Sequence, residues 1–302
     1  RSSDLTTAWW SSQTAITSFA TGNSVTLPTD SFPATRSYWV SHINANNGCA
    51  SARTQITITV STTPAAPTNT TPSANLTICA GQTTSLSVSG TGTLEWFDLP
   101  TGGNLLSTGA SFTTPALQNS ITYYASAKSG NCASARTPVT VQVNALPNGP
   151  TNTTPTANLT RCAGQTTTLT ASSGVANATI NWYDVATGGT SLGTGGTFTT
   201  PALNTNTTYY VAVKFNTTGC ESARVAVAVT VNPIPTVAIT PATVTICNGA
   251  SATLTASGGD TYAWSNSGGN NATATFTPSA TTTYTVTVTN AANCTATASR
   301  QV

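Results

Sequence analysis

Wherever this chain carries apolar residues, they alternate with polar ones at a period of two. ITYYASAK from Ile121, TPVTVQV from Thr137 and VAVAVTV from Val225 each present one apolar and one polar row, the pattern of strands with one buried face. LSVS at Leu86, LEWF at Leu94 and SFTT at Ser111 are shorter cases. No segment has helical period. Turn signals separate the strands, notably PTGG from Pro100, ATGG from Ala186 and SGG from Ser267. An all-β chain is expected.

The strands recur in a fixed order. CASAR at Cys49–Arg53 returns at Cys132–Arg136 and, as CESAR, at Cys220–Arg224. PTNTTPSANLTICAGQTT from Pro67 returns as PTNTTPTANLTRCAGQTT from Pro150, and LEWFDLPTGG from Leu94 as INWYDVATGG from Ile180. The period is about 85 residues, the size of a small sandwich domain. About seven short strands per repeat, a Trp on the third, a Tyr near the start of the sixth and a disulfide predict tandem immunoglobulin-like β-sandwich domains. The second cysteine follows the Tyr pair by about nine residues rather than two, so the bridge should tie the last strand to the beginning of the second instead of crossing the core. The expected domains are 1–63, lacking its first strands; 64–147; 148–234; and 235–302, of a sister type truncated in its last strand. Pro-rich joints at Ser61–Pro67, Asn144–Pro150 and Asn232–Thr236 read as semi-rigid linkers, giving an extended rod.

Strand parity sorts the aromatics. Trp9, Trp96, Trp182 and Trp264 should face the core, as should Tyr209. Trp10 with Trp39, Phe97 with Tyr124 and Tyr183 with Tyr210 should form outward pairs on neighbouring strands, replaced by Ser265 and Thr285 in the last repeat. Arg53, Arg136 and Arg224 on the adjoining strand are placed to lie over these rings. The outward pairs are candidates for a partner or glycan surface; ordinary cross-strand stabilisation of the sheet is the weightier account. Burial of the rings under a neighbouring loop would remove the surface reading.

The seven cysteines fall as Cys79 with Cys132, Cys162 with Cys220, and Cys247 with Cys294, each pair one early and one late in a repeat. Cys49 is left over at the late position. Trp9–Pro28 aligns without a gap on Trp96–Pro115, which puts its partner about eight residues upstream of Arg1. The chain is therefore expected to be a segment of a longer array. A donor-strand polymer is the alternative, but it requires a spare cysteine-bearing strand at the far end, and the C-terminus has none. Disulfides of this kind point to an oxidising, extracellular location.

Only 5% of residues are charged, against about 25% in ordinary domains. Solubility must come from hydroxyls and amides, and Thr suits half-exposed strands. The net charge of +2 is spread without a basic run, which argues against nucleic acid and anionic membranes. No apolar stretch approaches the roughly 18 residues of a membrane span. Residues that do chemistry are sparse. Asp98 and Asp184 occupy equivalent turn positions, Glu95 and Glu221 stand isolated, and His42 is the single histidine with no cysteine or carboxylate cluster near it in sequence. Catalysis, a metal site and a cofactor are not expected. Lys128 and Lys214 fall on the outward parity, which argues against isopeptide crosslinks. The nine Asn-x-Ser/Thr sequons, from Asn69 to Asn293, match chance in a chain so rich in Ser and Thr.

WYDVATGGTSLGTGGTFTTPALNTNTTYYVAVKFNTTGCESARVAVAVTV, from Trp182 to Val231, resembles the Ig-like repeats of large Bacteroidetes surface proteins exported by the type IX secretion system. The stretch from Cys247 to Ser299 is similar to a sister repeat of the same adhesins and gliding-associated proteins. The resemblance implies secretion, surface attachment and an adhesive or filament-forming role; it supplies no catalytic residues. The expected function is a non-enzymatic extracellular repeat protein, a segment of a surface filament or adhesin stalk, with homotypic filament contacts or a glycan ligand as partners. Carbohydrate-binding spacer modules of a secreted polysaccharide-degrading enzyme are the alternative.

Overall fold

A computed structural model describes residues 5–27 and 34–302; Arg1–Asp4 and Pro28, the end of the alignment drawn above, lie outside them. The chain divides into two compact units, Arg1–Ala145 and Leu146–Val302. Strands carry the structure throughout, and the only helical turns among the described residues are 3-10 turns at Ser73–Leu76 and Thr156–Leu159.

In the second unit, the third repeat is a two-sheet sandwich. A sheet of Thr151–Asn152, Thr168–Ser172 and Thr197–Thr199 faces a five-stranded sheet ordered Thr160–Cys162, Val225–Asn232, Thr207–Phe215, Ala178–Tyr183, Gly193–Thr194. Leu169 and Ala171 from the first sheet meet Trp182, Tyr209, Val211, Val227 and Val229 from the second. The second repeat, in the first unit, repeats this plan, with Leu86 and Val88 packed on Trp96, Tyr123, Val139 and Val141. The fourth repeat places three strands on three around Leu254, Trp264, Phe276, Tyr284 and Val286. The first repeat has one four-stranded sheet and no facing sheet among the described residues.

The recurring sequence strings have local physical causes. Each core Trp needs a partner for its indole N–H: Trp96 donates to Gly109 O at 3.1 Å and Trp182 to Gly195 O at 3.0 Å. Gly109 and Gly195 have φ of 114° and 105°, a turn conformation only glycine adopts easily. The PTNTTP-ANL-QTT string is a hydrogen-bond clasp. Asn158 Nδ2 donates to Thr168 O at 2.8 Å, Thr167 Oγ1 to Asn158 O at 2.8 Å, and Thr167 N to Thr200 Oγ1 at 3.0 Å. Asn75, Thr84 and Thr114 reproduce it in the second repeat. Cross-strand hydroxyl pairs such as Thr122 with Thr140, 2.9 Å, and Thr253 with Thr275, 3.1 Å, take the place that ion pairs hold on ordinary sheets.

One short strand sets the position of a cysteine. Thr160–Cys162 pairs in parallel with Thr230–Asn232, so Cys162 stands opposite Asn232 at the far end of the last strand; Cys79 stands opposite Asn144 in the same way. Trp96 and Trp182 are fully buried between two sheets, whereas Trp9 is half-buried on a single sheet. Trp182→Ala should therefore cost about 3–5 kcal/mol and Trp9→Ala less than half of that, read as shifts in urea unfolding of the two variants.

Candidate functional site

The outward aromatics do pair across strands. Trp10 stands opposite Trp39, Phe97 opposite Tyr124, and Tyr183 opposite Tyr210. They do not form an open strip, and the expected partner surface is corrected here. The guanidinium of Arg53 lies 3.6 Å from the Trp10 ring centroid, that of Arg136 3.5 Å from Phe97, and that of Arg224 3.3 Å from Tyr183. Each arginine also donates to carbonyls of the loop after the Trp strand. Arg53 reaches Ser12, Gln13 and Ala15 at 2.9, 2.7 and 2.6 Å; Arg136 reaches Leu99 and Gly102 at 2.5 and 2.7 Å; Arg224 reaches Val185 at 2.6 Å. The planar fork thus roofs the ring and ties down the loop. Trp10 and Tyr183 are left only 7% and 5% exposed, and Trp39, Phe97, Tyr124 and Tyr210 are half-buried.

The serine of the same motif sets up the clamp. Ser222 Oγ accepts from Val213 N at 3.1 Å and donates to Ala223 O at 2.9 Å, and Ser134 does the same with Ala127 N and Ala135 O at 2.9 and 2.7 Å. These bonds carry the chain out of its hairpin and into the last strand with the arginine aimed across the sheet.

Glu221 is not isolated. Its Oε2 accepts the Tyr183 hydroxyl at 2.5 Å and its Oε1 lies 3.3 Å from Arg224 Nε. Burial first, then this hydrogen bond, pushes the Tyr183 phenol above its ordinary value. The change from CASAR to CESAR occurs in the repeat whose roofed ring carries a hydroxyl. Trp10 instead donates to Ser41 Oγ at 2.9 Å, and Phe97 has no polar atom to satisfy. Glu95 is 3.7 Å from Lys128. Asp98 accepts both the backbone and the side-chain N–H of Asn104 at 2.8 Å, which hold its carboxyl below the usual range. His42 lies 3.4 Å from Thr7 Oγ1. Among the described residues no three His, Cys, Asp or Glu converge as metal ligands.

The cysteine pairing also needs correction. Cys162 is bonded to Cys294, in the following repeat. Cys132 and Cys247 are free, as is Cys49, while Cys79 and Cys220 are disulfide-bonded. Geometry forbids the bridge expected within a repeat. Cys220 sits in the hairpin before the last strand and Cys162 beside that strand's end. The strand between them spans roughly 25 Å, and bridged Cα atoms must come within about 7 Å. At the observed joint, Asn290 Nδ2 donates to Pro233 O at 2.9 Å beside the bridge, and Cys294 Sγ is 3.9 Å from Asn232 O.

The model of the Ig-like domain described as CHU_C associated matches three times, at residues 1–61, 64–145 and 147–233. No curated protein matches. Similar solved structures include the fibronectin(III)-like modules of Clostridium thermocellum CbhA, 16% identical with a TM-score of 0.32 over 55% of this chain and 94% of that one. Sidekick-1 immunoglobulin domains 1–5 are 15% identical, TM-score 0.23, over 88% and 66%. Three N-terminal domains of the bacteriophage RB49 outer capsid protein Hoc are 12% identical, TM-score 0.28, over 78% and 98%.

Two outcomes check this geometry. Arg224→Ala removes the roof of Tyr183, one loop anchor and the partner of Glu221, so urea unfolding should show a loss of about 1–3 kcal/mol, and Arg224→Lys should not restore it because an ammonium lacks the planar fork. Mass spectrometry of unreduced digests should find the Cys162 peptide joined to the Cys294 peptide, and no peptide joining Cys162 to Cys220.

Proposed function

Since the chain belongs to the family of Ig-like domains described as CHU_C associated, we propose that it is a non-enzymatic structural segment of an extracellular surface filament or adhesin stalk. The observation that carries this reading is the bridge from Cys162 to Cys294, which joins two successive repeats covalently end to end. Ig-like modules fastened in series suit a spacer that holds something away from a surface, and stable disulfides belong to oxidising compartments. No helix among the described residues is long and apolar enough to cross a membrane. The domains of this spacer run over 1–63, 64–147, 148–234 and 235–302, and export by the type IX system would bring it to the surface. Its partners are copies of its own kind; the roofed rings give little support to glycan stacking on the aromatic pairs or to the carbohydrate-binding spacer.

Immunogold electron microscopy of intact producing cells, with an antibody to the chain, tests the reading. Gold along fibres projecting from the cell is the expected result. Gold confined to the cell interior, or to a soluble polysaccharide-degrading complex, would overturn it.

A further inference from the structure

Three Asn-Gly steps stand in the chain, at Asn47–Gly48, Asn148–Gly149 and Asn248–Gly249. In such a step the residue after the asparagine has no Cβ to shield its nitrogen, so that nitrogen can reach the carboxamide carbon before it. All three asparagines are exposed; hydrogen bonding tells them apart. Gly48 N donates to Asn44 O at 2.8 Å, and Asn47 Oδ1 accepts Cys49 N at 3.0 Å, so nucleophile and carboxamide are both held. Gly249 N donates to Pro278 O at 3.2 Å. Among the described residues neither Gly149 N nor the Asn148 side chain makes a hydrogen bond. The flanking residues give the reason. Pro147 and Pro150 are buried and have no N–H, so no strand ladder runs through the step. Asn148 and Gly149 are left exposed between them.

We infer that Asn148–Gly149, in the joint that leads into the third repeat, is a self-modification site at which the asparagine becomes isoaspartate and aspartate. Gly149 N gives its proton to solvent base and bonds to Asn148 Cγ. The Cγ–Nδ2 bond breaks and the amide nitrogen leaves as ammonia, taking up a proton and closing a succinimide ring. Water then opens the ring at either carbonyl. Attack at the Asn148 main-chain carbonyl leaves Gly149 joined through Cγ, which is isoaspartate; attack at Cγ gives aspartate. Overall a water enters and an ammonia leaves, with no change of oxidation state.

Either product adds a carboxylate to a chain with only seven acidic and nine basic side chains, and isoaspartate lengthens the joint by a backbone carbon. The converted fraction records the time since the chain was made. This goes beyond the filament reading and does not depend on it, since the step needs only water and the folded chain.

Purified full chain, incubated at mildly alkaline pH, digested and read by mass spectrometry, provides the test. Exchange of the Asn148 amide for a carboxyl should outpace that at Asn47 and Asn248 by roughly fivefold, the factor that one net hydrogen bond of about 1 kcal/mol on the attacking nitrogen sets. Labelling by an isoaspartyl methyltransferase should locate isoaspartate in the same peptide. Gly149→Ala should slow conversion severalfold and leave urea unfolding unchanged, because a Cβ at Gly149 meets nothing nearer than Ala223 O at 3.8 Å and Val225 Cγ2 at 3.9 Å. Conversion at Asn47 or Asn248 as fast as at Asn148, or none at Asn148 while the urea-unfolded chain converts there, would overturn the inference.

Discussion

A parallel pairing of three residues governs how these repeats are joined. Thr160–Cys162 runs alongside Thr230–Asn232 in the same direction, so the first cysteine of the repeat is carried to the end of the last strand while the second stays in the hairpin before it. An antiparallel pairing at the near end would have brought the two together and closed each repeat on itself. With the parallel one, a disulfide cannot form inside the repeat, and the nearest late cysteine is that of the next sandwich. The covalent link therefore falls at the joint, where Pro233 and Asn290 already meet.

The second organising element is the arginine of the C-x-S-A-R motif. A chain with 5% charged residues has few ways to fix a loop across a sheet edge. One guanidinium does three tasks here: it covers an aromatic face, supplies donors to loop carbonyls that have no strand partner, and in the third repeat balances Glu221. An exposed aromatic strip would have been an association hazard in a nearly uncharged surface, and the clamp closes it at the cost of one charge per repeat. Hydroxyl pairs between strands supply much of what remains of the surface cohesion.

Much of this was legible in the residues. The two-residue period located the strands, the repeat strings located the sandwiches, and parity placed Trp96, Trp182 and Tyr209 inward and set Tyr183 opposite Tyr210. Trp9 departs because its sheet has no facing layer among the described residues, and parity cannot report whether a face is covered. Burial of Trp10 and Tyr183 was missed for a related reason: alternation assigns a side of the sheet, and a loop folded over that side leaves no periodic trace. The role of Glu221 did leave a trace, in the single Ala-to-Glu change among three copies of one motif, beside the only roofed ring with a hydroxyl. The disulfide register left none. The expected pairs Cys79–Cys132, Cys162–Cys220 and Cys247–Cys294 do not form, because strand direction decides which late cysteine is in reach, and Thr-Ile-Cys or Thr-Arg-Cys carries no mark of parallel or antiparallel alignment.

Placing the bridge at the joint changes what it stabilises. Successive sandwiches on a short linker ordinarily move relative to one another. Here Asn232–Thr236 and the Cys162–Cys294 bond both connect the same two repeats, the bond lying beside Asn232 where the linker begins, which restrains motion about the linker. A bridge closing a sequence separation of 132 residues restricts the unfolded chain by about 4–5 kcal/mol in the chain-entropy description. That restriction is shared between two cores, because residues 162–294 contain most of both. Unfolding either sandwich alone leaves the other still holding the loop closed, so neither gains the full freedom of an open chain. Bridges kept within single repeats would have produced independently stable beads on flexible strings; a staggered bridge makes the pair of repeats the unit that resists.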